Sequence, residues 1–273
     1  MIAVGVGVFG SLIGSFLNVV IYRVPAGRSI VSPPSACGSC GARVRPLDNL
    51  PVLSWILLRG KCRDCRAPIS ARYPLVELGT AFFFAAVAWF VLAQVGLGAG
   101  KAEQVFATIL VLAAFLYFAA ISVALALIDL DTRRLPNSIV LPAYPIGVIL
   151  LASAALTAGA PEGLITMAVG GVGLFAAYFA MASLYRGGMG FGDVKLAGVI
   201  GLFLGWLGWG PLAVGAFSAF LLGGLFSLVL VMTRGATGRT AIPFGPWMLV
   251  GAWVGIFAGE QIATAYLALF GLV

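Results

Sequence analysis

Two short segments hold carboxylates in positions that invite chemistry: Ile128-Asp129-Leu130-Asp131 and Gly190-Phe191-Gly192-Asp193. They supply three of only nine acidic residues, in a chain that is 62% hydrophobic, 9% charged and free of histidine. A carboxylate at or near a bilayer is costly and usually serves function. The absence of histidine excludes Ser/His and Cys/His nucleophiles and His-rich metal sites. What remains is acid–base chemistry by two aspartates, of the kind that hydrolyses a peptide without a covalent intermediate. One carboxylate takes a proton from water, while the other, protonated, donates a hydrogen bond to the scissile carbonyl. Two nearby carboxylates do not both ionise easily, so they share a proton and acquire separated apparent pKa values.

The first motif, Ala126-Leu127-Ile128-Asp129-Leu130-Asp131-Thr132-Arg133-Arg134-Leu135-Pro136-Asn137, ends one apolar stretch and leads into the next. Pro136 and Asn137 mark the turn, and the following helix is expected near Ser138. Asp129 and Asp131 are two residues apart, hence about 200° apart on a helix. Both can face one cavity only if the helix has unwound. Asp131 reads equally well as an interfacial charge beside Arg133 and Arg134. The second motif has glycines at 187, 188, 190 and 192, a backbone able to bend sharply and approach another chain closely. Its plainer reading is a loop with an Asp193/Lys195 pair.

The elements that must position these motifs are membrane helices. The chain has 273 residues and a mean hydropathy of +1.10. Those values indicate an all-α polytopic membrane protein. Eight apolar spans are expected at 2–22, 74–97, 105–128, 138–158, 164–185, 194–209, 211–232 and 246–270. The sixth is short, and glycine and tryptophan at 205–210 could mark an interfacial turn. The first lacks a basic n-region and an evident cleavage site, so it reads as a membrane helix and not a cleaved signal. Gly10 and Gly14 within it form a G-x-x-x-G step suited to close helix packing.

Charge gives an independent test of that count. Segment 23–73 holds nine of the sixteen Lys/Arg residues. The loops near 129–137, 186–195 and 233–245 hold Arg133, Arg134, Arg186, Lys195, Arg234 and Arg239, while loops of opposite parity hold only Lys101. The positive-inside rule makes the rich side cytoplasmic and puts both termini outside. The net charge of +7 is then explained by topology and anionic lipid, with no nucleic acid required.

All four cysteines lie in the one large polar segment, as Cys37-Gly-Ser-Cys40 and Cys62-Arg-Asp-Cys65. Two C-x-x-C knuckles at this separation form a zinc-ribbon signature. Four thiolates close a tetrahedral shell, which makes the metal structural. Two disulfides would conflict with a reducing cytoplasm, a redox pair would explain one knuckle only, and iron could use the same thiolates. The expected organisation is a first helix (1–22), a cytoplasmic four-cysteine domain (23–73) and a membrane-embedded catalytic domain (74–273).

The ordered motifs carry a family resemblance. They include Gly14-Ser15-Phe16-Leu17-Asn18-Val19-Val20-Ile21-Tyr22-Arg23, the paired knuckles, Pro51-Val52-Leu53-Ser54-Trp55 and Arg59-Gly60-Lys61-Cys62. They continue with Ile69-Ser70-Ala71-Arg72-Tyr73-Pro74-Leu75-Val76-Glu77, both aspartate motifs and Pro243-Phe244-Gly245-Pro246. Together they resemble the type IV prepilin peptidases, bacterial inner-membrane aspartic proteases that process type IV pilins and type II secretion pseudopilins. The resemblance implies that Asp129 and Asp193 are the catalytic dyad. It also implies cleavage of a short basic leader after a glycine, at the cytoplasmic face. The long, cysteine-containing form is bifunctional in that family and also methylates the new α-amino group with S-adenosylmethionine. Here Glu77-Leu78-Gly79-Thr80-Ala81 has alanine where glycine commonly follows the threonine, and no G-x-G-x-x-G unit is present. Methyl transfer is therefore implied by resemblance alone, with Glu77 as its candidate residue. Two other classes compete: an ion-coupled transporter, which should show internal repeats and broken helices, and a zinc-ribbon scaffold of a secretion system, which leaves the aspartates idle. No motif encodes the oligomeric state, the choice among prepilins or a role for Glu260.

Overall fold

Apolar runs of about twenty residues, bounded by charge, proline or glycine, can satisfy their backbone in lipid only as helices. A computed structural model describes residues 1–95, 101–184, 189–234 and 243–272. Arg186, Gly187, Gly188 and Arg239, which entered the charge and motif arguments, lie outside the described residues. The long helices are α1 (Ile2–Arg23), α3 (Arg72–Val95), α4 (Ala102–Thr132), α5 (Asn137–Ala158), α6 (Gly163–Leu184), α7 (Phe191–Leu207), α8 (Trp209–Arg234) and α9 (Gly245–Ala268). A short α2 (Leu53–Leu57) follows a 3₁₀ turn at Pro46–Asn49. Among the described residues seven helices, all the long ones except α7, are long and apolar enough to cross a membrane.

The chain forms two compact units. The first contains residues 1–96 and the stretch 116–124 of α4. Its centre is the α1·α3 pair, zipped along a glycine stripe on α1. A Cβ on Gly10 would lie 2.7 Å from the Cβ of Phe84, and one on Gly14 would lie 2.7 Å from the Cα of Glu77. The G-x-x-x-G step therefore does what its spacing suggested: it brings two backbones together. Between these helices the polar segment builds almost no core. From residue 24 to 71 only Gly60 and Cys62 are buried. Two similar knuckles take the place of a core. In the first, Cys37 N–H donates to Ala42 and Gly41 N–H to Cys37; in the second, Cys62 N–H donates to Ala67 and Arg66 N–H to Cys62. Asp48 binds the Arg63 guanidinium through both oxygens, at 3.0 and 2.8 Å from Nε. That bond, first, and the guanidinium charge hold the Asp48 carboxyl below its ordinary value.

The second unit holds residues 97–115 and 125–273. Its central element is α7, the span with the weakest sequence signal, which packs on α5, α6, α8 and α9. At 17 residues α7 is about 25 Å long, and every residue from Leu196 to Gly205 is buried. The weak signal and the central position have one cause. Gly198, Gly201 and Gly205 sacrifice hydropathy for close approach: a Cβ on Gly201 would collide with the Gly170 carbonyl of α6, and one on Gly205 with the Thr166 carbonyl. Gly201→Ala is thus expected to force α6 and α7 apart at a cost of roughly 1–3 kcal/mol, seen as a thermal midpoint lowered by several degrees in detergent. Gly173→Ala, where nothing lies within 4 Å, should leave the midpoint unchanged. Equal midpoints for the two variants would overturn this packing.

Candidate functional site

Helix α4 has 31 residues, about 46 Å of length, and so exceeds a hydrocarbon core of about 30 Å. Its final turn carries both aspartates of the first motif. The helix does not unwind before Thr132, so the two side chains diverge as the 200° argument requires. Asp129 is 5% exposed, whereas Asp131 is exposed. The chain then stops the helix with Arg133 in the left-handed region (φ 54°), its N–H donating to the Asp129 carbonyl. Pro136 caps α5, which starts at Asn137, one residue before the expected start.

The buried Asp129 carboxylate meets the start of α9. The Gly245 N–H donates to its Oδ2 at 3.1 Å, and this N–H is one of the donors that every helix N-terminus leaves unpaired. Glycine is needed there, because a Cβ would lie 2.7 Å from that oxygen. Asp193 occupies the equivalent place on its own helix. It is the third residue of α7, and its Oδ2 accepts the Gly190 N–H at 3.2 Å. Each carboxylate thus sits at a helix N-terminus and holds one backbone donor.

One side chain links the two. Leu135, in the turn after α4, lies 3.3 Å from where a Gly245 Cβ would stand and 3.1 Å from where a Gly192 Cβ would stand. The motifs carrying Asp129 and Asp193 therefore meet across Leu135, and the two carboxyls are within Coulombic reach of each other. The buried Tyr178 of α6 also lies within Coulombic reach of Asp193. Its ring packs against Phe220 and Phe244, with centroids at 5.4 and 6.4 Å. Lys195 does not serve as the Asp193 counter-ion that the motif suggested. Its Nζ donates to Asn137 Oδ1 at 2.9 Å and lies over the Phe191 ring at 4.8 Å. The carbonyl of Lys195 accepts the Tyr144 hydroxyl at 2.6 Å.

In the first unit the four cysteine sulfurs lie within 4.8 Å of one another, and Cys37 and Cys65 are 3.8 Å apart. A tetrahedron with Zn–S bonds of about 2.3 Å has edges of about 3.8 Å, so the donor set fits that metal. The backbone N–H groups of Cys40 and Ser39 bring the Cys37 thiol down to about 6. At Cys65 the Ala67 N–H pulls the same way, but the three neighbouring thiols and burial outweigh it and push the group up to about 12. Four crowded thiols cannot all ionise without a cation among them.

Glu77 lies on α3, 9% exposed. Its Oε2 accepts the Val52 N–H at 2.7 Å. Nearby, Asn18 Nδ2 donates to the Tyr73 carbonyl at 3.2 Å. In this arrangement Glu77 is committed to holding Val52, a β-branched residue at φ 62°. Glu260 is exposed, with Oε2 at 2.7 Å from where a Cβ on Gly210 of α8 would stand.

Sequence reasoning assigned no role to Gly245, Leu135 or Tyr178, and made Asn137 only a turn marker. Only Gly245 had a readable signal: a glycine between aromatic and proline at a helix start, Phe244-Gly245-Pro246.

Comparison with known proteins agrees with the motifs. Residues 8–91 match a bacterial peptidase A24 N-terminal domain, and residues 116–231 match the type IV leader peptidase family. A prepilin leader peptidase/N-methyltransferase of Stutzerimonas stutzeri is 34% identical over 95% of this chain and 92% of its own length. Proteins of the same description from Pseudomonas aeruginosa and Neisseria gonorrhoeae are each 33% identical, over 96% and 94% of this chain and 92% and 91% of their own lengths. No solved structure matches the chain.

Proposed function

Because this chain belongs to the type IV leader peptidase family, we propose that it removes the basic leader from type IV prepilins or pseudopilins and methylates the exposed N-terminus. Asp129 and Asp193 are the hydrolytic pair. The observation that carries this reading is their convergence at two helix N-termini on either side of Leu135. One aspartate takes a proton from the attacking water as the other donates one to the peptide carbonyl; when the tetrahedral species collapses, the proton taken from water passes to the leaving nitrogen and the second aspartate takes its own back from the diol hydroxyl. The charge distribution supports a cytoplasmic position for this face and for the cysteine segment in a bacterial inner membrane.

Cys37, Cys40, Cys62 and Cys65 would hold a structural zinc whose closed shell leaves no place for substrate. When bound, S-adenosylmethionine supplies the methyl group. Glu77, whose Oε2 accepts the Val52 N–H, stands as the candidate residue for methyl transfer. The test is incubation of the detergent-purified protein with a type IV prepilin and a pseudopilin, read by mass spectrometry. A shortened product cut after the leader's glycine is expected, with one added methyl when the donor is supplied. Intact substrates under all conditions would overturn the proposal.

The Lys195–Asn137 bond ties the N-terminal turn of α7 to the start of α5 and so fixes Asp193 against the α4–α5 turn. Lys195→Met is expected to lower kcat by about tenfold, the order expected when a reacting group is misplaced by a fraction of an ångström. KM and the thermal midpoint should hold, and Lys195→Arg should restore most of the rate. A fall in thermal midpoint that tracks the loss of rate would reduce Lys195 to a packing residue.

A further inference from the structure

The first unit displays an apolar face out of keeping with a polar, metal-held segment. Leu47 is 76% exposed, Leu53 60%, Ile56 57% and Leu57 79%. Four large aliphatic side chains within eleven residues form the kind of patch that proteins keep for an interface. Its position identifies the interface. The Val52 N–H that opens α2 is bound by Glu77, the sixth residue of α3, and thus about 7.5 Å along the axis from Arg72. The glutamate side chain leans back toward the helix N-terminus, so α2 is held at the level where α3 leaves the bilayer. Asn18 of α1 bonds the Tyr73 carbonyl at this same end. The Trp55 indole, a group suited to the membrane boundary, donates to Ile69 O at 3.1 Å. Leu75 and Leu78 in the first turns of α3 are also exposed.

Charge agrees with position. Segment 23–73 has nine Lys/Arg against Asp48 and Asp64, and both acids are already bonded, to Arg63 and Arg45. Arg59 and Lys61, both exposed, follow α2 directly. We propose that residues 47–61 form an interfacial foot seated in an anionic phospholipid leaflet. Leu47, Leu53, Ile56 and Leu57 enter the acyl boundary, and Arg59 and Lys61 meet headgroup phosphates. The inference rests on α1 and α3 crossing the bilayer and is independent of the peptidase reading. The foot would fix the cysteine segment against the membrane, with Glu77 as its strut.

The test uses the full chain, zinc-loaded, in phosphatidylglycerol-rich vesicles and in phosphatidylcholine vesicles. A photoreactive p-benzoylphenylalanine replaces Leu57 in one preparation and Ser39, exposed on the first knuckle, in another. Zinc content confirms that each has folded; Leu53 takes the label if the Leu57 position does not. Several-fold more phospholipid adduct from the foot than from Ser39 is expected, with the larger yield in the anionic vesicles. Equal adduct from foot and knuckle would overturn the proposal, and equal yields in the two lipids would overturn its headgroup contacts. A label that, with prepilin added, transfers to prepilin in place of lipid would overturn it in favour of a substrate-docking face.

Discussion

Replacing either Asp129 or Asp193 with asparagine is expected to slow leader cleavage by roughly 10²–10⁴-fold or more, the range for loss of a positioned acid or base. The substitution suits the question because it is nearly isosteric. An asparagine oxygen at 129 can still accept the Gly245 N–H, and one at 193 can still accept the Gly190 N–H. Both helix N-termini therefore keep their partners, and the fold should survive. What is lost is the ability to exchange a proton. On the proposed mechanism the two carboxylates act on one water and one carbonyl, so the double variant should be little worse than either single one. Asp131→Asn is the internal control: it alters an equally acidic residue two positions away, on the exposed face of the same turn. Its rate should remain within a few-fold of the parent. Cleavage that persists in both Asp129→Asn and Asp193→Asn, or that fails equally in Asp131→Asn, would sink the dyad. Gly245→Ala probes the same site from the backbone side, since the added methyl would meet the Asp129 carboxylate.

Removal of the proposed zinc is the second large expected effect. Segment 24–71 buries only Gly60 and Cys62, so no apolar core can replace the ligands. Binding energies of structural zinc in small domains run to about 10–16 kcal/mol and are in effect folding energies. Cys62→Ser, or a strong chelator, is expected to reduce zinc to background. It should also open the segment to trypsin at its many Lys/Arg residues, while α5 to α9 stay resistant. Zinc uptake by the metal-free chain should release protons, because the thiols must ionise to bind. Ser39→Ala, within a knuckle but not a ligand, should change neither readout. A metal-free segment as resistant as the loaded one would show that the knuckles hold without an ion.

Much of this architecture is legible in the chain because the bilayer simplifies the code. A span must be apolar, about twenty residues long and helical, so hydropathy locates α1, α3 to α6, α8 and α9 within a few residues. Gly10 and Gly14 announced a close helix contact, and Cys37, Cys40, Cys62 and Cys65 announced a cluster of four sulfurs, because each signal depends on local spacing. The identity of Asp129 over Asp131 was half legible: helical geometry required the two to diverge, and packing chose the one that went inside.

The sequence by itself determined the helices, the knuckles and the two acidic motifs, since these depend on periodicity, on ligand spacing and on the cost of charge near lipid. Tertiary structure alone decided the partners. Asp129 and Gly245 are separated by 116 positions, Lys195 and Asn137 by 58, and nothing in either local pattern encodes the pairing. Val52 at a left-handed angle, held by Glu77, is invisible for the same reason: its conformation is imposed from a distant helix. A helix N-terminus will offer its free N–H to any nearby acceptor. Which carboxylate comes near is settled only when the helices pack.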